Sequence, residues 1–166
     1  KCVTFGNFPS VRITKSAQLW LCPFSKLRLR VLFSALQANA HAPQPTQRTT
    51  QLTGGTRVIT AEAASPPQSR MIGLMMRERL APNHGMVFVF EDKSQHCFWM
   101  RNTLIPLSIA FIDDDGTVVS IADMSPKSEA STCPQRPVRY ALEMDQGWFA
   151  KRGVTAGQKI SGLPPR

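Results

Sequence analysis

The residues of this chain that could bind or transform a ligand are concentrated in the segment 96–111, H-C-F-W-M-R-N-T-L-I-P-L-S-I-A-F. A predicted strand in this segment would place Trp99 at the floor of a pocket, and Arg101, Asn102 and Thr103 would follow at its rim as hydrogen-bond donors. Polar side chains that converge at the ends of apolar segments are typical of small-molecule sites. A structural alternative exists for each, since Trp99 could be a core aromatic and Asn102 and Thr103 could cap a turn.

Two charged residues outside this segment complete the candidate site. Arg77, at the end of a predicted helix, could bind a carboxylate or a phosphate through two parallel hydrogen bonds. Glu143, which lies between Leu142 and Met144 on a predicted strand, is a weaker candidate for a general acid or base. Arg77 and Glu143 could also form an internal ion pair that fixes the helix against the sheet.

Metal and cofactor chemistry is not expected. The chain contains no G-x-S-x-G elbow, no H-E-x-x-H zinc helix and no phosphate-binding loop motif. His96 and Cys97 are neighbours in sequence and would point to opposite faces of a strand, so they cannot readily share one ion. The D-D-D-G segment at 113–116 lacks the further ligands of an EF-hand loop, and its Asp-Gly pair favours a tight hairpin turn. We therefore predict no metal site and no cofactor.

Cys97 and Cys133 are predicted to form a disulfide. They are the two cysteines that remain once an N-terminal leader is removed, and paired cysteines are favoured in an exported chain because its environment is oxidising. Closing the loop between them would stabilise the fold by about 3–4 kcal/mol in the chain-entropy description. Two unpaired core thiols, or a metal pair with His96, are the alternatives.

The segment 26–42 is predicted to be a cleaved signal peptide. It contains the basic stretch K-L-R-L-R at 26–30, the apolar run V-L-F-S-A-L at 31–36 and the alternating small residues A-N-A-H-A at 38–42. A membrane span needs about 18 apolar residues or more, so no span is expected after cleavage, and a buried N-terminal helix is the alternative. We predict a periplasmic or secreted protein, and residues 1–25 remain an unassigned extension.

The net charge of +9 comes largely from this N-terminal part of the chain. Beyond residue 42 there are 14 basic and 11 acidic residues, which leaves a net charge of only +3. No run of Lys and Arg in this region could follow a phosphate backbone. The composition therefore disfavours nucleic acid as a partner.

Residues 56–166 are predicted to form one domain, preceded by a flexible polar linker at 43–55. The expected fold is mainly β, an α+β arrangement with one or two short helices, folded as a compact β-sandwich or partly closed barrel. Helices are predicted at 68–80, with Ser65 as its cap, and at 148–152. Strands are predicted at 56–61, 86–90, 95–100, 107–112, 117–121, 138–144 and 158–160.

Four motifs resemble one family of proteins. They are R-M-I-G-L-M-M-R at 70–77, H-G-M-V-F-V-F at 84–90, F-W-M-R-N-T-L-I-P-L at 98–107 and A-L-E-M-D-Q-G-W at 141–148, and in order and spacing they resemble domain of unknown function 192, also labelled uncharacterised protein family 0127. The resemblance covers residues of about 55 to 163. It implies a single compact, mainly β domain that is often exported in bacteria, and it implies no activity.

The sequence departs from this family at one position. Many members carry an aspartate after the proline and leucine of the third motif, whereas this chain has Ser108. A hydroxyl cannot replace a carboxylate as a charge. Any chemistry in the family that needed that carboxylate would therefore be absent here.

Three hypotheses for function follow. The first is a binding or accessory module of the cell envelope, monomeric, whose partner is a small molecule held near Arg77, Trp99 and Asn102. The second is a structural or assembly protein without a ligand, which exposed apolar surface around Met124 or Trp148 would favour. The third is an envelope hydrolase that uses Glu143 with Arg77.

Overall fold

Seven strands rich in β-branched and other apolar residues form one sheet in the computed structural model, which describes residues 48–165. The strands lie in the order β5-β4-β6-β3-β2-β1-β7. Their bounds are β1 Thr49–Gly54, β2 Arg57–Ala64, β3 His84–Ser94, β4 Leu107–Ile112, β5 Val118–Met124, β6 Val138–Asp145 and β7 Ile160–Ser161. Two short helices, α1 Pro67–Ile72 and α2 Trp148–Lys151, complete the fold. The predicted mainly β class is thus confirmed.

The sheet curls so that its two edge strands meet. All neighbouring strands are antiparallel except β2 and β3, which are parallel and need the crossover that carries α1. At the edges, Thr117 bridges Lys159, and the amide of Val118 donates to the carbonyl of Gln158 at 2.8 Å. The result is a half-barrel, which corresponds to the partly closed barrel of the two predicted architectures.

Alternate residues of the central strands separate two apolar cores. Val87 and Val89 on β3 belong to one core, together with Val118 and Ile160 from the two edges of the sheet, so this core fills the inside of the curl. Met86 and Phe88, the intervening residues of β3, face the other core under α1 and the 95–105 segment. The candidate site lies on this second face.

The first helix is shorter than predicted. It ends at Ile72 because Gly73 adopts a φ of +52° and a ψ of −134°, which only glycine tolerates readily. A Cβ there would also lie 3.3 Å from the ring of Phe88. The cap is Pro66 and not Ser65, and it makes no side-chain capping bond.

Part of the predicted flexible linker is a strand, which corrects the 43–55 boundary. Residues 49–54 form β1, in which Leu52 is fully buried and pairs with Ile59 on β2. The polar residues of this segment misled the prediction because they alternate with the buried ones. The predicted extension and signal peptide, at 1–25 and 26–42, lie outside the described residues.

The region predicted as two separate strands, at 86–90 and 95–100, is also different. The strand β3 continues beyond residue 90 to Ser94, and the 95–100 segment leaves the sheet, so that only Phe98 forms a bridge, with Thr132. No helix between residues 48 and 165 is long and apolar enough to cross a membrane.

Candidate functional site

A cavity of about 460 Å³ lies between α1, the 95–103 segment and the face of β3 and β6 that carries the second core. Its wall includes the aromatic side chains of Phe88, Phe98 and Trp99, and it also contains polar residues, among them Arg70 and His96. Glu143 is the one acidic residue of its lining. The cavity therefore combines apolar and polar side chains with a single carboxyl group.

Glu143 reaches this cavity because of the register of β6. It pairs with Met86 on β3 and with Ile109 on β4, both residues of the second core. The residue is only 5% exposed. Burial raises the pKa of its carboxyl from the ordinary value of 4.5 to about 8, and neither a hydrogen bond nor a nearby charge contributes to the shift. The group is therefore mostly protonated at neutral pH.

Arg77 does not pair with Glu143. Its guanidinium binds Glu62 on β2 through two hydrogen bonds, Nη1 to Oε1 at 2.5 Å and Nη2 to Oε2 at 2.6 Å. Glu62 is aligned with Met86, so the two glutamates flank that methionine on the same face of the sheet. Arg77 is absent from the cavity wall. The predicted pairing of Arg77 with Glu143 was thus wrong, because the nearer carboxylate belongs to a strand two positions away.

Trp99 lies at the mouth of the cavity and not at its floor. Half of its surface is exposed, because the 95–100 segment does not join the sheet as predicted. The guanidinium of Arg101 lies 5.6 Å from the Trp99 ring centroid and 3.7 Å from the carboxylate of Glu129. Arg101 is therefore near the mouth but outside the wall.

Asn102 and Thr103 form a turn next to the cavity. Asn102 has a φ of +60°, and its carbonyl accepts a hydrogen bond from the amide of Met76 at 2.9 Å. Thr103 is buried and lines the cavity, and its amide donates to the carbonyl of Met100 at 2.9 Å. Of the six predicted ligand-binding residues, the structure thus brings Trp99, Thr103 and Glu143 to one cavity.

Arg70 and His96 also line this wall, although neither was predicted to be a ligand-binding residue. The guanidinium of Arg70 donates to the carbonyls of Ser65 and of Val89, the latter at 3.1 Å, and lies 5.2 Å from the ring centroid of Phe90. His96 stacks on the same ring at 3.6 Å. Arg70 could have been identified from its position on the helix that connects the parallel strands β2 and β3, because one side of such a helix must face the sheet.

A disulfide links the cavity wall to the loop that follows β5. The sulfur atoms of Cys97 and Cys133 are 2.08 Å apart, so the structure contains the pairing that was predicted from the sequence. Cys97 lines the cavity, and the neighbouring Phe98 exchanges two backbone hydrogen bonds with Thr132. The cross-link therefore holds the mouth segment in place. Within residues 48–165, no group of three His, Cys, Asp or Glu side chains is arranged for a metal ion.

One comparison with known proteins identifies a family, and two solved structures are similar to this chain. The sequence profile of DUF192, described as uncharacterized ACR, matches residues 49–162. A crystal structure from Sinorhizobium meliloti 1021, described as a candidate transcription regulator, is 34% identical, with a TM-score of 0.68 over 72% of this chain and 97% of that one. A protein of unknown function from Novosphingobium aromaticivorans DSM 12444 is 30% identical, with a TM-score of 0.64 over 72% of this chain and 89% of that one. No curated protein matches the sequence.

Proposed function

This chain belongs to the DUF192 family, and on that premise we propose that its domain is a small-molecule binding or accessory module of the cell envelope. The observation that carries the proposal is the cavity beside β3 and β6, into which the buried carboxyl of Glu143 opens. A volume of about 460 Å³ is within the range of about 300–1,000 Å³ that small-molecule sites occupy.

The composition of the wall supports binding. Ligand sites are mostly apolar and contain a few polar groups that orient the ligand, and here Thr103 and Glu143 supply such groups among aromatic and methionine side chains. A buried carboxyl without a partner lowers the stability of the fold. A ligand that satisfied it would recover that free energy.

Location in the envelope is supported by two features of the chain. The first is the basic and apolar leader predicted at 26–42, followed by alternating small residues. The second is the short distance between Cys97 and Cys133, since disulfides persist in oxidising compartments. Both features agree with export of the domain before it meets its ligand.

One observation favours an enzyme as the second candidate. A pKa of about 8 suits Glu143 to proton transfer near neutral pH. Arg77 cannot assist Glu143 in this proton transfer, because the guanidinium of Arg77 is bound to Glu62. Apart from Glu143, Thr103 is the one polar residue of the predicted site that lines the wall. The hydrolase hypothesis therefore lacks Arg77, the second residue that it required.

The hypothesis of a structural or assembly protein expected exposed apolar surface around Met124 or Trp148. Met124 and Trp148 are 3% and 4% exposed, so they form no apolar surface for assembly. Among the large apolar side chains that are exposed, Met71 and Trp99 belong to the cavity wall, whereas Val58, Met76 and Leu104 lie outside it. The exposure of Met71 and Trp99 therefore fits the mouth of a binding site.

A thermal-shift screen of the full chain against amines, sugars, organic acids and envelope fragments tests the proposal. We expect a saturable rise of the unfolding midpoint that Trp99→Ala and Glu143→Gln each abolish. Val58→Ala is the matched control, because Val58 is 60% exposed and is no part of the wall. A midpoint that no compound raises, or a rise that Trp99→Ala and Glu143→Gln leave unchanged, would refute binding in this cavity.

A further inference from the structure

We infer that the ligand of this cavity carries an organic ammonium group on an apolar body, and that Glu143 binds the ammonium. The inference rests on the proposed binding function and names the ligand class of the same site.

Among residues 48–165, nothing pairs with the charged form of the Glu143 carboxyl. Glu143 is more than nine-tenths buried and lines the cavity. Burial is the cause of the raised pKa of its carboxyl. A carboxylate in such a place is costly unless a cation or several hydrogen-bond donors accompany it. The open side of the cavity is the direction from which a partner can come.

The aromatic residues of the cavity wall can attract a cation. Phe98 and Trp99 present aromatic rings to the cavity, and Met71 and Met75 present polarisable thioethers. Aromatic faces attract ammonium groups, most strongly in sites from which water is excluded. Phe98 is held in place by an edge contact with Phe88, whose ring centroid is 4.9 Å away.

The arginines in and beside the cavity wall already have interaction partners. Arg77 makes its two hydrogen bonds to Glu62. Arg70 is held by the backbone carbonyls of Ser65 and Val89 and by the ring of Phe90. A ligand cation can therefore reach Glu143 without displacing an existing ion pair.

Other ligand classes fit less well. An acyl chain would place methylene groups against a carboxyl that needs a polar partner. An anion would meet Glu143 only in its protonated form, with Arg70 as its one fixed cation in the wall. A neutral hydroxyl could accept a hydrogen bond from the protonated acid, and it would bind without any change in protonation.

This last difference provides a test through proton release. At pH 7 a carboxyl with a pKa of about 8 carries about nine-tenths of a proton, and pairing with an ammonium expels it. The other charged or titratable groups on this side of the sheet are Arg70 and His96 in the wall and the Arg77–Glu62 pair.

The probes are phenethylammonium, its neutral counterpart 2-phenylethanol and its anionic counterpart 3-phenylpropanoate, titrated calorimetrically into the full chain. Phenethylammonium should bind at pH 7 with release of about nine-tenths of a proton, measured from the dependence of the heat on the ionisation enthalpy of the buffer. Its affinity should rise about tenfold per pH unit between pH 6 and 7.5 and level off above about pH 8. Glu143→Gln should weaken it at least about tenfold, whereas Glu129→Gln, at an exposed carboxylate outside the wall, should not.

The outcomes separate this inference from the proposed function. Binding of the alcohol or the carboxylate without the ammonium overturns the inference and leaves the binding function intact. Ammonium binding that Glu143→Gln does not weaken overturns the role of Glu143, and ammonium binding without proton release overturns the inference that the ligand displaces a proton from this carboxyl. No response to phenethylammonium at millimolar concentration also overturns the ligand class, while the wider thermal-shift screen decides separately whether the cavity binds anything.

Discussion

Arg77 clamps both carboxylate oxygens of Glu62, at 2.5 and 2.6 Å, and thereby ties the segment after α1 to β2. This pair leaves the carboxyl of Glu143, one strand beyond Met86 on the same face, without a cation. Glu62 is therefore an ion-paired structural residue, whereas Glu143 is a protonated residue of the cavity. The two glutamates differ because only Glu62 is bound by Arg77.

The Arg77–Glu62 pair should contribute modestly to stability. Its side chains are 23% and 29% exposed, so solvent screens the attraction, and we expect a coupling free energy of about 1 kcal/mol. A double-mutant cycle of Arg77→Met and Glu62→Gln, followed by urea unfolding, measures it. A coupling free energy indistinguishable from zero would show that the ion pair itself does not stabilise the fold. Neither variant should change ligand binding by more than a small factor, since neither residue lines the cavity.

The disulfide should provide a larger share of stability. For a separation of 36 residues, replacing Cys97 and Cys133 by serine should lower the free energy of unfolding by about 3–4 kcal/mol, because the unfolded chain regains the freedom of an open loop. Denaturant unfolding of the double variant and of reduced wild type should agree. If oxidised and reduced wild type unfold at the same denaturant concentration, the cross-link is absent or has no effect.

The strands that could be predicted from the sequence are those with a strong local signal. The hairpin of β4 and β5 combines two apolar runs with an Asp-Gly turn, and β6 is a run of apolar residues interrupted by Glu143. Such patterns depend on residues close in sequence, so they need no knowledge of the fold. The mainly β class followed from these elements.

Several errors arose where distant residues decide the structure. Glycine is a common residue at the end of a helix, but the apolar pattern that continues to Leu80 favoured a longer helix than the structure has, which ends before Gly73. The pairing of Arg77 with Glu62 and the exposed place of Trp99 depend on which strands are neighbours. Glu143 was found as an unusual charge in an apolar strand, but its isolation could be seen only in the assembled sheet.

Ser108, where many family members carry an aspartate, should be a structural residue here. Its hydroxyl donates to the carboxylate of Asp123 and accepts the amide hydrogen of Gly147, with an N–O distance of 2.8 Å. Ser108→Ala should cost about 1–3 kcal/mol because it leaves the Gly147 amide unpaired. Urea unfolding measures the loss, and Ser120→Ala, at a buried hydroxyl with no partner, is the control and should cost less.

A carboxylate at this position would face another one. Ser108 pairs directly with Asp123 across β4 and β5, so Ser108→Asp brings two negative charges together and should destabilise the fold. Adding Asp123→Asn should restore most of the lost stability, measured by the same unfolding experiment. Failure of the second substitution to rescue the first would show that steric strain, and not charge, limits the site.

The unpaired carboxyl of Glu143 should make the domain less stable as the pH rises. Its pKa in the folded state, about 8, lies above its ordinary value of 4.5, so the folded state binds more protons between these values. The free energy of unfolding should therefore fall from about pH 4.5 to about pH 8, by at most about 5 kcal/mol. The acid-range contributions of Asp113 and Asp115, whose pKa values are lowered, cancel when wild type is compared with a variant at one pH.

Glu143→Gln isolates this effect because an amide does not titrate. Wild type and variant should have similar stability near pH 5, and the variant should be the more stable of the two at pH 9, where wild type must bury a charge or open the cavity to water. Glu129→Gln, at a side chain that is 70% exposed, should show no such divergence. Parallel curves for wild type and Glu143→Gln across this range would mean that the carboxyl ionises freely. The cavity would then hold a permanent negative charge, and a cationic ligand would bind without proton release.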